Sequence, residues 1–181
     1  MKIFITGITG FLGRHVAELC QKEGHEVFAL IRDKKINQSH FPFDVNIAYG
    51  DISDLYTIPE NLNEAEIVVH CAADTNMISV VNHKQNEINI NGLQNLIMVS
   101  KNAQIKKFIH ISSANTIFHG NLKNPADESI KNDVSDKRLP YINSKIIGEK
   151  ILLEEFKVNN FPVIILNPSF ILGPMDFNKS S

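Results

Sequence analysis

Short continuous apolar runs alternate along the chain with longer stretches in which apolar residues recur at helical spacing. Lys2-Ile3-Phe4-Ile5-Thr6, Val27-Phe28-Ala29-Leu30-Ile31 and Ile67-Val68-Val69-His70 lack the in–out alternation of a half-exposed strand. They therefore read as strands buried on both faces. Val45–Ala48, Phe108–Ile111 and Val163–Leu166 bring the set to six. Between them the spacing predicts a helix over residues 11–23, with Leu12, Val16 and Leu19 on its apolar stripe and Gly24 as its C-cap. A second helix is predicted over 84–102, carrying Ile88, Leu93, Leu96, Ile97 and Val99, and a third over 140–157. Residues 32–40 and 119–138 read as polar loops.

Strands that alternate with helices in this way indicate an α/β fold, a parallel sheet covered on both faces. Right-handed crossovers favour the doubly wound (Rossmann) strand order 3-2-1-4-5-6. No repeat, low-complexity segment or linker divides the chain, so residues 1–181 read as one domain. A net charge of -2 gives no electrostatic reason to expect nucleic acid or an anionic membrane as partner. No apolar stretch approaches the roughly 18 residues of a membrane span. A strand beginning at Lys2 argues against a signal peptide, so the expected location is cytoplasmic. Cys20 and Cys71 read as apolar fill in a reducing compartment. The histidines show no paired metal spacing, so no metal is expected.

Thr6-Gly7-Ile8-Thr9-Gly10-Phe11-Leu12-Gly13 falls between the first strand and the first helix. A glycine here permits a tight turn, another lets backbone N–H groups approach a pyrophosphate, and the last lets helix pack on strand. The helix N-terminus then faces the phosphates. The placement therefore predicts a nicotinamide dinucleotide site at Gly7, Gly10 and Gly13. In such a unit an acid at the end of the second strand selects NAD. Here Ile31 stands at that place and Arg32 follows, with Lys34 and Lys35 beyond. A planar, permanently charged guanidinium suits a 2′-phosphate, so NADP is expected over NAD, with Asp33 as the residue that keeps NAD open.

With its Gly-x-x-Gly-x-x-Gly spacing, the Thr6–Gly13 turn resembles that of the extended short-chain dehydrogenase/reductase family, which includes epimerases, dehydratases and dihydroflavonol-type reductases. Further elements carry the resemblance in the expected order. Asp51-Ile52 resembles the family's adenine-contacting pair, and Cys71-Ala72-Ala73 its small-residue segment beneath the cofactor. Asn89-Ile90-Asn91-Gly92 resembles the helix element in which Asn89 organises the active-site end, although Leu93 stands where threonine is usual. Asn167-Pro168-Ser169 resembles the element that meets the nicotinamide. Thr9, Phe11 and Leu12 belong to the same glycine turn.

Tyr141-Ile142-Asn143-Ser144-Lys145 places Tyr141 and Lys145 on one helical face. A nearby ammonium favours the phenolate, lowering a tyrosine pKa that is otherwise near 10. The resemblance implies that Tyr141 exchanges the proton and that Lys145 tunes it and binds the nicotinamide ribose. Aligned from the strand, Ser113 matches the serine that orients the substrate oxygen; Ser112 is its neighbour, and counting back from Gly120 shifts the match to Asn115. His110 reads as a packed strand-end residue. The implied reaction is hydride transfer at an alcohol or carbonyl of a small molecule, reductase-like, with a cofactor-retaining epimerase or dehydratase and a non-catalytic redox sensor as alternatives. The family also implies a homodimer through residues 84–102 and 140–157. Its members run past this length into a substrate-binding domain, so the resemblance implies a fragment and leaves the substrate open.

Overall fold

The computed structural model describes residues 1–76, 83–117, 120–121, 123–129 and 139–176. Most of the expected loop at 119–138 thus lies outside the described residues. The strands are β1 (Lys2–Thr6), β2 (Glu26–Ile31), β3 (Asn46–Tyr49), β4 (Ile67–His70), β5 (Lys107–Ile111) and β6 (Val163–Leu166). All pair in parallel, in the order β3-β2-β1-β4-β5-β6. The doubly wound sheet read from the apolar runs is the one observed.

The alternation of side chains divides the core into two layers. Phe4, Phe28, Val68 and Phe108 project from neighbouring strands into one layer, with Leu93, Leu96 and Leu152 from the helices. Ile3, Ile5, Val27, Ala29 and Ile31 form the other, against Ala17 of α1 (Phe11–Lys22). The packed face of α1 is only partly the predicted one: Val16 packs against the core, but the face is centred elsewhere. Leu19 is 60% exposed, whereas Gly13 and Ala17 are buried. Small residues four apart let the helix axis approach the strands more closely than a leucine stripe would. Gly24 follows the helix with φ 76°, a left-handed conformation that glycine adopts freely.

The predicted helix 84–102 is three pieces: α2 (His83–Asn86), a π-helical turn at Glu87–Asn91 and α3 (Gly92–Asn102). The wider turn adds a residue to the helical circuit and turns Asn89 inward. Helix α4 (Pro140–Asn159) starts on a proline, whose missing N–H would be unpaired there in any case. At β6 the sheet is less enclosed than expected, since Ile164 and Leu166 are 40% and 47% exposed. Coverage on both faces therefore holds at the centre of the sheet and fails at this edge. Among the described residues, no helix is long and apolar enough to cross a membrane.

Candidate active site

Parallel strands deliver their C-terminal ends to one edge of the sheet, and the cleft opens there between β1 and β4, where the strand order reverses. Gly7 has φ 77°, and a Cβ on it would lie 2.6 Å from the Ala72 nitrogen. A Cβ on Gly13 would lie 2.3 Å from the Gly7 carbonyl oxygen. Both are required by the turn and by close packing. At Gly10 the protein leaves more room, 3.3 Å to the Gly7 oxygen. Gly10 borders the cleft, so its small size keeps space for a ligand. It also caps α1 without a side-chain acceptor, and no acidic residue occupies the first turn. The N–H groups of that turn are thus directed at the cleft with a positive helix end behind them, which fits a pyrophosphate.

The cleft has two lobes that share Gly7, Gly10, Cys71, Ala73 and Thr75. One is lined by Thr9, Arg32, Asp51, Ile52 and Ala72. Asp51 accepts from the Ser53 N–H at 2.9 Å and the Ser53 hydroxyl at 2.7 Å. Ile52 is buried against the α3 start, where a Cβ on Gly92 would lie 2.8 Å from its side chain. Asp33 does not line this lobe; with Thr9 and Arg32 it lines an adjoining hollow, and its carboxylate accepts from the Lys35 N–H at 2.9 Å in its own turn. The other lobe is lined by Phe11, Leu12, Gly13, Ser113, Tyr141, Pro168 and Ser169. Thr75, Lys84, Ala114, Phe170 and Ile171 also line the two lobes and were not anticipated. Asp74, which also lines the adenine-side lobe, and Thr75 come next after the small-residue segment, a usable signal; nothing in the pattern marked the others.

Three anticipated residues stand behind the walls. Asn89 is buried, its amide oxygen accepting from the Asp74 N–H at 2.8 Å. Its amide nitrogen donates to the Asp74 carbonyl at 3.0 Å and to the Ser144 hydroxyl at 2.9 Å. Ser144 in turn donates to the Tyr141 carbonyl at 2.7 Å. The π turn thus ties the loop beneath the cofactor cleft to the start of α4. Asn167 donates to the Glu149 carboxylate at 2.6 Å. Lys145 is buried and donates to the Ile111 carbonyl at 2.7 Å. Its ammonium lies 5.9 Å from the Tyr141 ring centroid.

The electrostatics depart from the sequence expectation. Burial lowers Lys145 to about 8, against the opposing pull of Cys71 and Glu149. Burial also raises the Tyr141 phenol above its ordinary value, with no lowering by Lys145. The geometry explains this: the ammonium is spent on the end of β5 rather than on the phenol oxygen. Burial lifts the Cys71 thiol to about 12, so it lines the cleft as an unreactive group. Ser112 is buried and donates to Glu149 at 2.6 Å, whereas Ser113 faces the cleft. Asn115 also borders that lobe and is exposed.

Below the cleft, His70 and His110 pair across β4 and β5 with ring centroids 5.3 Å apart. The Thr6 hydroxyl accepts from the Ala72 N–H at 3.3 Å and hydrogen-bonds with His70 Nδ1 at 2.8 Å. Desolvation takes His70 down to about 3 and His110 well below its usual value, with Lys145 adding to both. His110 is thus a neutral packed residue, as expected. Among the described residues, no group of three or more histidines, cysteines and acids is arranged to hold a metal.

A glycine turn under a helix N-terminus, at the reversal point of a parallel sheet, with Ser113 and Tyr141 on the far wall, defines a dinucleotide-cleft protein of the short-chain type. The family model described as NAD dependent epimerase/dehydratase family matches residues 3–181, and the chain belongs to that family, within the extended short-chain dehydrogenases/reductases. It is 28% identical over 178 residues to the Dictyostelium discoideum sterol-4-alpha-carboxylate 3-dehydrogenase, decarboxylating, covering 96% of this chain and 54% of that protein. It is 31% identical over 196 residues to the dTDP-D-glucose 4,6-dehydratase of the same organism, covering 97% and 45%. Among solved structures, gox2253 superposes with a TM-score of 0.83 at 31% identity, covering 96% of this chain and 53% of that one. The UDP-glucose 4-epimerase of Thermus thermophilus, in complex with NAD, shares the fold with a TM-score of 0.80 at 23% identity, covering 92% and 54%. The chain spans about half the length of the curated relatives it matches.

Proposed function

We propose that the chain is the cofactor-binding and proton-transferring part of an NADP-dependent oxidoreductase that reduces a carbonyl of a small molecule. The observation that carries this reading is the shared floor of the two lobes, Gly7, Gly10, Cys71, Ala73 and Thr75, with Arg32 at one end and Ser113 and Tyr141 at the other. Arg32 lines the adenine-side lobe while Asp33 is engaged in its own turn, which supports a 2′-phosphate at the ribose. Residues of the first turn of α1 hold the pyrophosphate, and Asp51 and Ile52 flank the adenine. Pro168 and Ser169 would hold the nicotinamide, which would supply the hydride when bound. Ser113 donates a hydrogen bond to the substrate carbonyl oxygen and orients it. Tyr141 gives that oxygen its proton and regains one from solvent. A phenol held protonated by burial is in the form that can donate this proton. Lys145 anchors the end of β5 and keeps positive charge behind the wall. Asn89 acts through Asp74 and Ser144 rather than on the substrate.

The kinship with the dTDP-D-glucose 4,6-dehydratase favours a second reading, an epimerase or dehydratase that keeps its cofactor through the cycle. Purified protein carrying stoichiometric cofactor supports that reading; a cofactor-free preparation supports the reductase.

Titration of NADPH and NADH into the wild-type chain and Arg32→Ala tests the cofactor assignment. Losing a charge-assisted phosphate contact costs about 1.5–3 kcal/mol, so the variant should lose about 10-fold or more in NADPH affinity and little for NADH. Equal wild-type affinities, unchanged by the substitution, contradict it.

A further inference from the structure

Glu149 follows Lys145 by one turn of α4 and is buried. Its Oε1 accepts at 2.6 Å from each of three groups: the Ser112 hydroxyl, the Thr116 hydroxyl and the Asn167 amide. These donors come from separate segments. Ser112 follows β5, Thr116 ends the 3-10 turn at Ala114–Thr116, and Asn167 follows β6. Backbone bonds stitch the same segments together, Ser112 N–H to Leu166 O and Ala114 N–H to Pro168 O, both at 2.8 Å. The Asn167 amide also lies 3.2 Å from the Ser113 carbonyl.

A buried carboxylate is costly to desolvate, and hydrogen bonds to a charged acceptor are the strong ones. Apolar residues would pack this junction without that cost, so what the carboxylate adds is a fixed geometry. The two segments it joins carry one wall of the catalytic lobe: Ser113 on one side, Pro168 and Ser169 on the other. Glu149 itself borders neither lobe, and no residue of its cluster borders the adenine lobe.

We propose that Glu149 is a positioning residue whose carboxylate locks the ends of β5 and β6 together on α4, so that Ser113 and the nicotinamide-facing Pro168–Ser169 segment are held ready opposite Tyr141. The proposal rests on reading the cleft as a dinucleotide site. It divides the ligand in two: the nicotinamide end depends on Glu149 and the adenosine end does not.

The test uses the full chain, Glu149→Gln, and two probes, NADPH and 2′-phospho-ADP-ribose, which lacks the nicotinamide. Melting curves accompany each titration. Glu149→Gln should bind the fragment within about 2-fold of wild type, as expected for independent, distant sites. It should bind NADPH about 10-fold more weakly, as expected when a charged acceptor is lost. The double variant Ser112→Ala/Thr116→Val carries the same prediction if Glu149→Gln does not fold. Unchanged NADPH affinity overturns the positioning role, and so does an equal loss for both probes, which signals general damage. A wild-type chain that binds neither probe overturns the dinucleotide reading, and this proposal with it, before any variant is compared.

Discussion

The two lobes of the cleft are built by different means. The adenine side and the floor it shares are made largely of backbone: a Cβ on Gly7 would strike the Ala72 main chain, and the wall segments at Asp51 and Ala72 lie close after strand ends. The catalytic side is made of buried polar side chains that hold one another. Asn89 joins Asp74 to Ser144, Lys145 holds Ile111, and Glu149 gathers Ser112, Thr116 and Asn167. A site built largely of backbone tolerates most exchanges that leave the glycines and Arg32 alone. A side-chain network fails when a single member is removed, because its partners are left buried and unpaired. Binding and chemistry should therefore separate under mutation.

Tyr141→Phe is the sharpest separation. It removes the acid and leaves the adenine lobe untouched, so turnover should fall by about 10²–10⁴-fold while NADPH affinity stays near wild type. Steady-state kinetics beside a binding titration check this, and unaltered turnover removes Tyr141 from the proposed chemistry.

Acid should strain the floor shared by the two sides. His70 and His110 are buried neutral, with folded pKa values depressed below the ordinary 6.5, His70 to about 3. The unfolded chain takes up their protons first, so stability is fully present above pH 6.5 and declines as pH falls towards the folded values. The loss is up to about 1.4 kcal/mol per histidine for each pH unit. Chemical denaturation at pH 7.5, 6.5 and 5.5 should show a level region and then a fall; equal stability at all three values contradicts the burial described.

Ser144→Ala should have the smallest effect. It strips one partner from Asn89 and frees the Tyr141 carbonyl, at a cost of about 1–3 kcal/mol in stability. Turnover should drop modestly while adenosine-fragment binding holds. A melting temperature identical to wild type argues that the link is slack.

The difference between the sides also decides how much of each is legible in the sequence. Continuous apolar runs bounded by glycine specify buried parallel strands, and a glycine turn after the first of them marks the cleft, because these features are local. The packed face of α1 departs from expectation at Leu19 because an apolar stripe does not reveal that Gly13 and Ala17 approach the sheet. The π turn at Glu87–Asn91 left no trace in the spacing, which fits a plain helix equally well. The burial of Glu149, Ser112 and Thr116 is not legible in the sequence, since it depends on partners 33 and 37 positions apart. The expected lowering of the Tyr141 pKa by Lys145 followed from a correct spacing, but spacing does not say where an ammonium points.

The central claim is that the backbone turn at Gly7–Gly13 is a dinucleotide site. Isothermal titration of NADPH into the wild-type chain and into Gly13→Val tests it most directly. The added side chain begins 2.3 Å from the Gly7 carbonyl oxygen, so the turn must open. The account predicts saturable one-site binding to wild type and none to a variant that remains folded. Wild-type protein that is folded but does not bind, or a Gly13→Val variant that binds as well as wild type, contradicts it.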